Sequence, residues 1–169
     1  KNFHEGASLS TPLLYHMYTI RGYRQRSMKF VAGGMEIVIE QPRERIVCPS
    51  CQSTRIILKG KTTRRFLAPP MGRKRVTIVF DVPRIECHQC WALHQVAVPF
   101  ARPRRRDIRA LERYVLVLLQ SMTCEDVAKH LGGSWGRIRE IESEHLRRQY
   151  EKPRLKDVTH IAIDEIAVR

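Results

Sequence analysis

Along the first hundred residues the apolar positions come in short runs rich in β-branched side chains. "FVAGGMEIVIEQP", "STRIILKG" and "KRVTIVFDVPRIEC" read as strands separated by Gly-Gly, Lys-Gly and Pro-Pro breaks. After "PFARPRRRD", a connector rich in Pro and Arg, the period changes to that of helices. Ile108, Leu111, Val115 and Leu118 form one stripe, Cys124, Val127, Ala128 and Leu131 a second, and Trp135, Ile138, Ile141 and His145 a third. The polar stretch "EKPRLKDVTH" then leads into Ile161 to Val168, which reads as a strand buried on both faces with Asp164 and Glu165 in its middle. The fold class expected is α+β and multidomain. Residues 1–99 form a small β domain, 100–150 a basic connector with three helices, and 151–169 a linker and closing strand. Tyr15, Tyr18 and Tyr23 are expected to pack on the ribbon of the first domain.

Charge sharpens this division. Lys and Arg total 31 against 17 acids, a net +14, and +12 of it falls within residues 43–106. Such a surplus favours a polyanionic partner, DNA or RNA, gripped by the middle third. No stretch approaches the roughly 20 apolar residues of a membrane span, so a cytoplasmic, nucleoid-associated protein is expected. The chain opens on Lys1 and stops after an apolar run, as expected for part of a longer polypeptide. An unpaired carboxylate in a buried strand costs several kcal/mol, so Asp164 and Glu165 call for a cationic partner or a chemical role.

Reduced cysteines in C-x2-C pairs point to metal before disulfide. Cys48 and Cys51 form one pair, Cys87 and Cys90 the other. Two such turns can close a tetrahedral thiolate shell around structural Zn2+. In so basic a domain the metal is expected to replace a missing hydrophobic core, so that Cys48→Ser unfolds it. His88 and His94 are alternative ligands, read more simply as exposed. Cys124 shares a face with Val127, Ala128 and Leu131 and reads as a small buried hydrophobe.

"SMTCEDVAKHLGGSWGRIREIESEHLRRQY" has the grammar of a helix-turn-helix. Thr123 with Asp126 can form a capping box, Gly132 and Gly133 turn the chain, and Ser134 can cap the second helix. With Trp135, Ile138, Ile141 and His145 inward, the outer face carries Gly136, Arg137, Glu140, Ser143 and Arg147, with Arg139 on its flank. The second helix of this motif enters the major groove by its N-terminal residues, making Ser134, Arg137, Arg139 and Glu140 candidates for contact with double-stranded DNA. Arg102, Arg104, Arg105 and Arg106 are either a flexible strap along the minor groove or phosphates, or a solvated linker. An RNA-binding ribbon fits less well, since the RNA major groove is too narrow for a helix.

The order of these parts, a CP-x-C and C-x-x-C ribbon, "P-F-A-x-x-R-R", "G-G-S-W-x-x-I" and "I-D-E-I-A-V-R", resembles the bacterial insertion-sequence transposases of the ISL-three family. Gln52 and Trp91 depart from it, standing where zinc knuckles often carry Gly. The resemblance implies that residues 151–169 are the linker and first strand of an RNase H-like catalytic domain. It makes Asp164 the first catalytic carboxylate, holding Mg2+ with acids later in the chain. Only one of two neighbours in a strand can face that site. The resemblance further implies a DDE-type transposase that binds the terminal inverted repeats of its element as a homodimer, for Mg-dependent strand cleavage and transfer. This stretch alone would bind DNA without cutting it. The alternative is a truncated transposase remnant that occupies DNA as a non-catalytic repressor.

Overall fold

The computed structural model describes residues 10–152 together with Thr159 and His160. The closing strand with Asp164, and most of the linker before it, lie outside the described residues. The expected α+β class holds, with one mixed sheet and four α-helices among the described residues.

Helix α1 (Ser10–Tyr18) leads into β1 (Arg24–Val31) and β2 (Gly34–Glu40), an antiparallel hairpin. Ala32 and Gly33 turn it with φ of 47° and 77°, the left-handed pair of a type I′ turn. Helix α1 was not expected. Only Leu14 and Tyr18, one turn apart, are buried along its described face, too few to declare a period. β3 (Ile56–Met71) and β4 (Lys74–Cys87) form a second, much longer hairpin, turned at Gly72 and Arg73. β2 runs parallel to β4, giving the order β1-β2-β4-β3, and β5 (Leu93–Gln95) pairs with the far end of β4. At about 3.3 Å per residue, β4 separates the hairpin tip from Cys87 by about 40 Å.

Alternation aims Met35, Ile37 and Ile39 of β2, Phe66 and Ala68 of β3, and Val76, Ile78, Phe80 and Val82 of β4 into one core. Helices α2 (Arg109–Leu118), α3 (Cys124–Leu131) and α4 (Trp135–Tyr150) contribute Leu111, Val115, Val127, Ala128, Ile138 and Ile141 to that same core. Phe100 joins the two parts, packing edge-on against Tyr23 at 5.1 Å and Phe66 at 5.2 Å between ring centroids. Tyr18 and Tyr23 are buried in this core, while Tyr15 is exposed. A second, smaller cluster of Ile46, Cys48, Ile85, Cys87 and Val96 sits at the far end of the long hairpin. The expectation of a β domain without a hydrophobic core is therefore corrected. The main core is made by sheet and helices together, and only the outlying cluster depends on the cysteines.

Candidate metal centre and nucleic-acid interface

Cys48 and Cys51 flank the turn that enters β3, and Cys87 and Cys90 flank the turn that leaves β4. Antiparallel pairing of Ile56 with Cys87 brings the turns together across 35 intervening residues. The four sulfurs lie within 4.8 Å of one another, with Cys48 Sγ 3.6 Å from Cys90 Sγ and Cys51 Sγ 3.5 Å from Cys87 Sγ. A tetrahedron with Zn–S bonds of about 2.3 Å has edges of about 3.8 Å, so the donor set fits Zn2+ with little movement. The backbone N–H of Cys90, aimed at Cys87 Sγ, holds that thiol down at about 6. A hydrogen bond from the Cys51 backbone likewise lowers Cys48. At Cys51 the Ser53 backbone pulls down too, but burial and the neighbouring sulfurs outweigh it and push the thiol up to about 12. Four thiols this close cannot all ionise without a cation between them, and a thiolate-bound divalent ion removes the conflict.

Gln52 and Trp91 occupy left-handed φ of 59° and 56°, so both turns keep the knuckle conformation without the glycine that adopts it at least cost. His88 and His94 lie outside the sulfur cluster. His94 Nε2 meets Ser50 Oγ at 3.1 Å, and the His88 ring lies 5.7 Å from that of Trp91. Cys124 is half-buried, with its thiol donating to Glu142 Oε2 at 3.3 Å and burial raising its pKa.

The helical pair forms where its signals fall. Thr123 Oγ1 accepts from the Asp126 N–H at 3.2 Å and donates to its carboxylate at 2.7 Å. Gly132, at φ 59°, ends α3, and the Gly133 N–H reaches back to the Ala128 carbonyl at 2.9 Å, closing a Schellman turn. Ser134 stands at the N-cap of α4, where its side chain makes no capping bond.

The faces of α4 differ from the expected ones. Ile138 and Ile141 are buried, but Trp135 is 55% exposed and His145 is also exposed. The core offers a seat only for the middle of the helix, so its first and later turns stand clear. Arg137 is half-buried against the connector, whereas Glu140 stays exposed while pairing with Arg105 of the connector. Arg137 Nε lies 3.4 Å from Asp107 Oδ2 without forming a hydrogen bond, and among the described residues Asp107 Oδ1 has no partner. Burial raises the Asp107 pKa against the opposing pull of Arg137 and Arg105. Arg105 pairs with Glu140 and, at 2.7 Å, with Glu144; Arg102 pairs with Glu112 at 2.7 Å and Glu144 at 2.6 Å.

The connector is pinned rather than loose. Leu67 N–H donates to the Arg106 carbonyl at 2.6 Å, Ile108 N–H to the Leu67 carbonyl at 3.0 Å, and Arg64 to the Arg105 carbonyl at 2.9 Å. Of its four arginines, Arg102 and Arg105 are half-buried and neutralised, whereas Arg104 and Arg106 are exposed. With Arg64 and Arg65 of β3, these two line a groove of about 520 Å³. Of the residues expected at DNA, the structure thus leaves Arg104, Arg106, Ser134, Arg139 and Glu140 exposed, the last paired with Arg105, and gathers Arg102, Arg105 and Arg137 half-buried against carboxylates of the chain itself. Sequence reasoning missed Arg64 and Arg65 as groove residues, although the +12 segment contained them, and it placed Trp135 on the wrong side of its helix.

Comparison with known proteins bears on both regions. The family model described as "zinc-finger of transposase IS204/IS1001/IS1096/IS1165" matches residues 44–90, and that described as "Helix-turn-helix domain of transposase family ISL3" matches residues 96–146. No curated protein and no solved structure matches the chain. Among the described residues no helix is long and apolar enough to cross a membrane.

Proposed function

Because the chain belongs to the ISL3 family of insertion-sequence transposases, we propose that it is the DNA-recognition region of a DDE-type transposase, binding the terminal inverted repeats of its element as double-stranded DNA. One observation carries the reading: the first turn of α4 presents Ser134, Trp135, Gly136 and Arg139 to solvent, on a body whose basic surplus lies in the adjoining hairpin and connector. A helix that enters the major groove does so with those positions. Gly136 adds to the case, since a side chain there would meet nothing within 4 Å, leaving room for a base edge or sugar.

In this reading Ser134, Trp135 and Arg139 touch base edges, while Arg104, Arg106 and Arg64 hold phosphates and Arg65, paired with Glu36, flanks them. Arg102, Arg105, Arg137 and Glu140 serve mainly to fix the connector against α4, and they reach DNA only where those pairs exchange partners. The zinc ribbon holds the end of the long hairpin, with Cys48, Cys51, Cys87 and Cys90 as ligands. Homodimerisation and a division into 1–99, 100–150 and 151–169 belong to the same proposal, the first two parts sharing one hydrophobic core. So does the assignment of Asp164 as the first Mg2+-binding carboxylate of an RNase H-like domain. Asp164→Asn should accordingly leave DNA affinity unchanged and abolish strand cleavage by the full-length protein.

Fluorescence anisotropy with labelled duplexes tests the central claim. Duplexes carrying the element's terminal repeats should bind at least about a thousandfold more tightly than scrambled duplexes of equal length, the low end of the usual specific to non-specific ratio. Equal affinity for the two would refute sequence recognition by this region.

A further inference from the structure

The tip of the long hairpin does not project into solvent by itself. Arg75 reaches the carbonyl of Gly132, the residue that turns α3 into α4. Its guanidinium lies so close that a Cβ on Gly132 would meet it at 2.9 Å. Between the tip and the turn lies a cleft of about 270 Å³, with Arg73 and Arg75 on one wall and Lys129, His130 and Arg137 on the other. That space is several times the ~30 Å³ share of one water. Among the described residues no carboxylate lines it. The acids that do reach these cations approach from outside, Glu125 at 2.9 Å from Lys129 and Asp107 at 3.4 Å from Arg137. Among the described residues neither Arg73 nor Arg75 has an acidic partner.

Lys129 and His130 have an ordinary reason to be where they are, since cations suit the C-terminal end of a helix. Arg75 has the Gly132 carbonyl, but Arg73 has no such partner among the described residues. Both come from a segment more than 50 residues away, and their approach adds repulsion to the same concave spot unless an anion occupies it. In a helix-turn-helix bound to DNA the first helix crosses the sugar-phosphate backbone, so the turn after it borders a strand of phosphates.

We propose that this cleft seats a backbone phosphate of the bound DNA, making the β3–β4 hairpin tip a working part of the reading head rather than a separate ribbon. The inference rests on the DNA-binding reading above. It assigns Arg73 and Lys129 as clamp residues from opposite walls. Arg75 acts as a positioning residue: bound to the Gly132 carbonyl, it holds the tip against the turn.

The test is the salt dependence of binding to both repeat-bearing and scrambled duplexes. Each phosphate neutralised contributes about −0.9 to the slope of log K against log salt. Arg73→Ala should flatten the slope by about one and weaken both duplexes by about five- to tenfold near physiological salt. Arg73→Lys should keep the wild-type slope. Lys129→Ala should act like Arg73→Ala, and the double variant should lose little more than either, because both serve one phosphate. Arg24→Ala, the same charge change on the exposed strand β1, should leave the slope unaltered. An unchanged slope in Arg73→Ala, an equal loss in Arg24→Ala, or fully additive losses in the double variant would overturn the clamp while leaving DNA recognition intact. A wild-type protein that binds no duplex would overturn both.

Discussion

Gly132 carries two constraints at one Cα. Its left-handed φ closes the end of α3, and the Arg75 guanidinium fills the space that a side chain would need. A left-handed non-glycine residue costs about 1–2 kcal/mol, and the second constraint adds to it because Arg75 must let go of the turn. Gly132→Ala should therefore lower stability by at least about 1 kcal/mol in urea unfolding. If the tip is held as described, it should also weaken DNA binding beyond that of an equally destabilised core variant. Trp135 presents the opposite case, a large apolar side chain with little to pack on. Trp135→Ala should change stability by no more than about 0.5 kcal/mol, as exposed substitutions do, yet reduce the preference for repeat-bearing over scrambled DNA by about tenfold. A loss of stability without loss of preference would return Trp135 to the core role its spacing suggested.

The elements are locked by charge as much as by packing. Glu144, on the connector side of α4, receives Arg102, Arg105 and Arg148 at once. Two of these guanidinia are only about a fifth exposed, so their pairing is screened less than that of surface ions. Glu144→Gln keeps the shape and removes the charge. The expected result is a loss of about 1–2 kcal/mol, read from the unfolding midpoint, together with tighter binding to scrambled DNA and a steeper salt slope, since Arg102 and Arg105 each lose one of two carboxylate partners. The helical pair was plain from the sequence, but α1 was not, and β3 runs through the breaks expected at Lys59-Gly60 and Pro69-Pro70, which shifts of register against β4 absorb. The stripes at Ile108–Leu118 and Cys124–Leu131 and the Gly132–Gly133 break gave α2, α3 and the turn, because each signal sits within one or two helical turns. The inward face of α4 was misjudged because Trp135 and His145 have the right spacing but no core opposite them.

On the scale of the whole molecule the two hydrophobic clusters make loss of zinc a local event. Among the described residues the main core holds 22 buried residues from sheet, helices and their connections, whereas the cluster at the cysteines holds five, two of them cysteines. Purified protein should contain about one zinc per chain by elemental analysis. Chelation should collapse the knuckles and β5 while α2–α4 and strands β1 and β2 persist. Amide exchange followed by mass spectrometry checks this: protection should fall around residues 44–58 and 84–96 and hold at 108–145. Global loss of protection would restore the earlier expectation that the metal sustains the entire β domain.

Whatever depends on near neighbours along the chain could be read from the residues in order: the two C-x2-C turns, the caps and periods of the helices, the change of regime near residue 100 and the basic middle third. Each is set by backbone geometry or spacing over a few residues. Which arginines remain available to a partner could not be read this way. Arg102 and Arg104 look equivalent in "ARPRRR", yet Glu144, 42 residues on, claims the first and leaves the second exposed. The same holds for Arg75 at Gly132 and for Phe100 between Tyr23 and Phe66. These contacts join segments 34 to 77 residues apart. The pairing of β2 with β4 and the docking of α2–α4 on the sheet bring them together, and no local pattern encodes that.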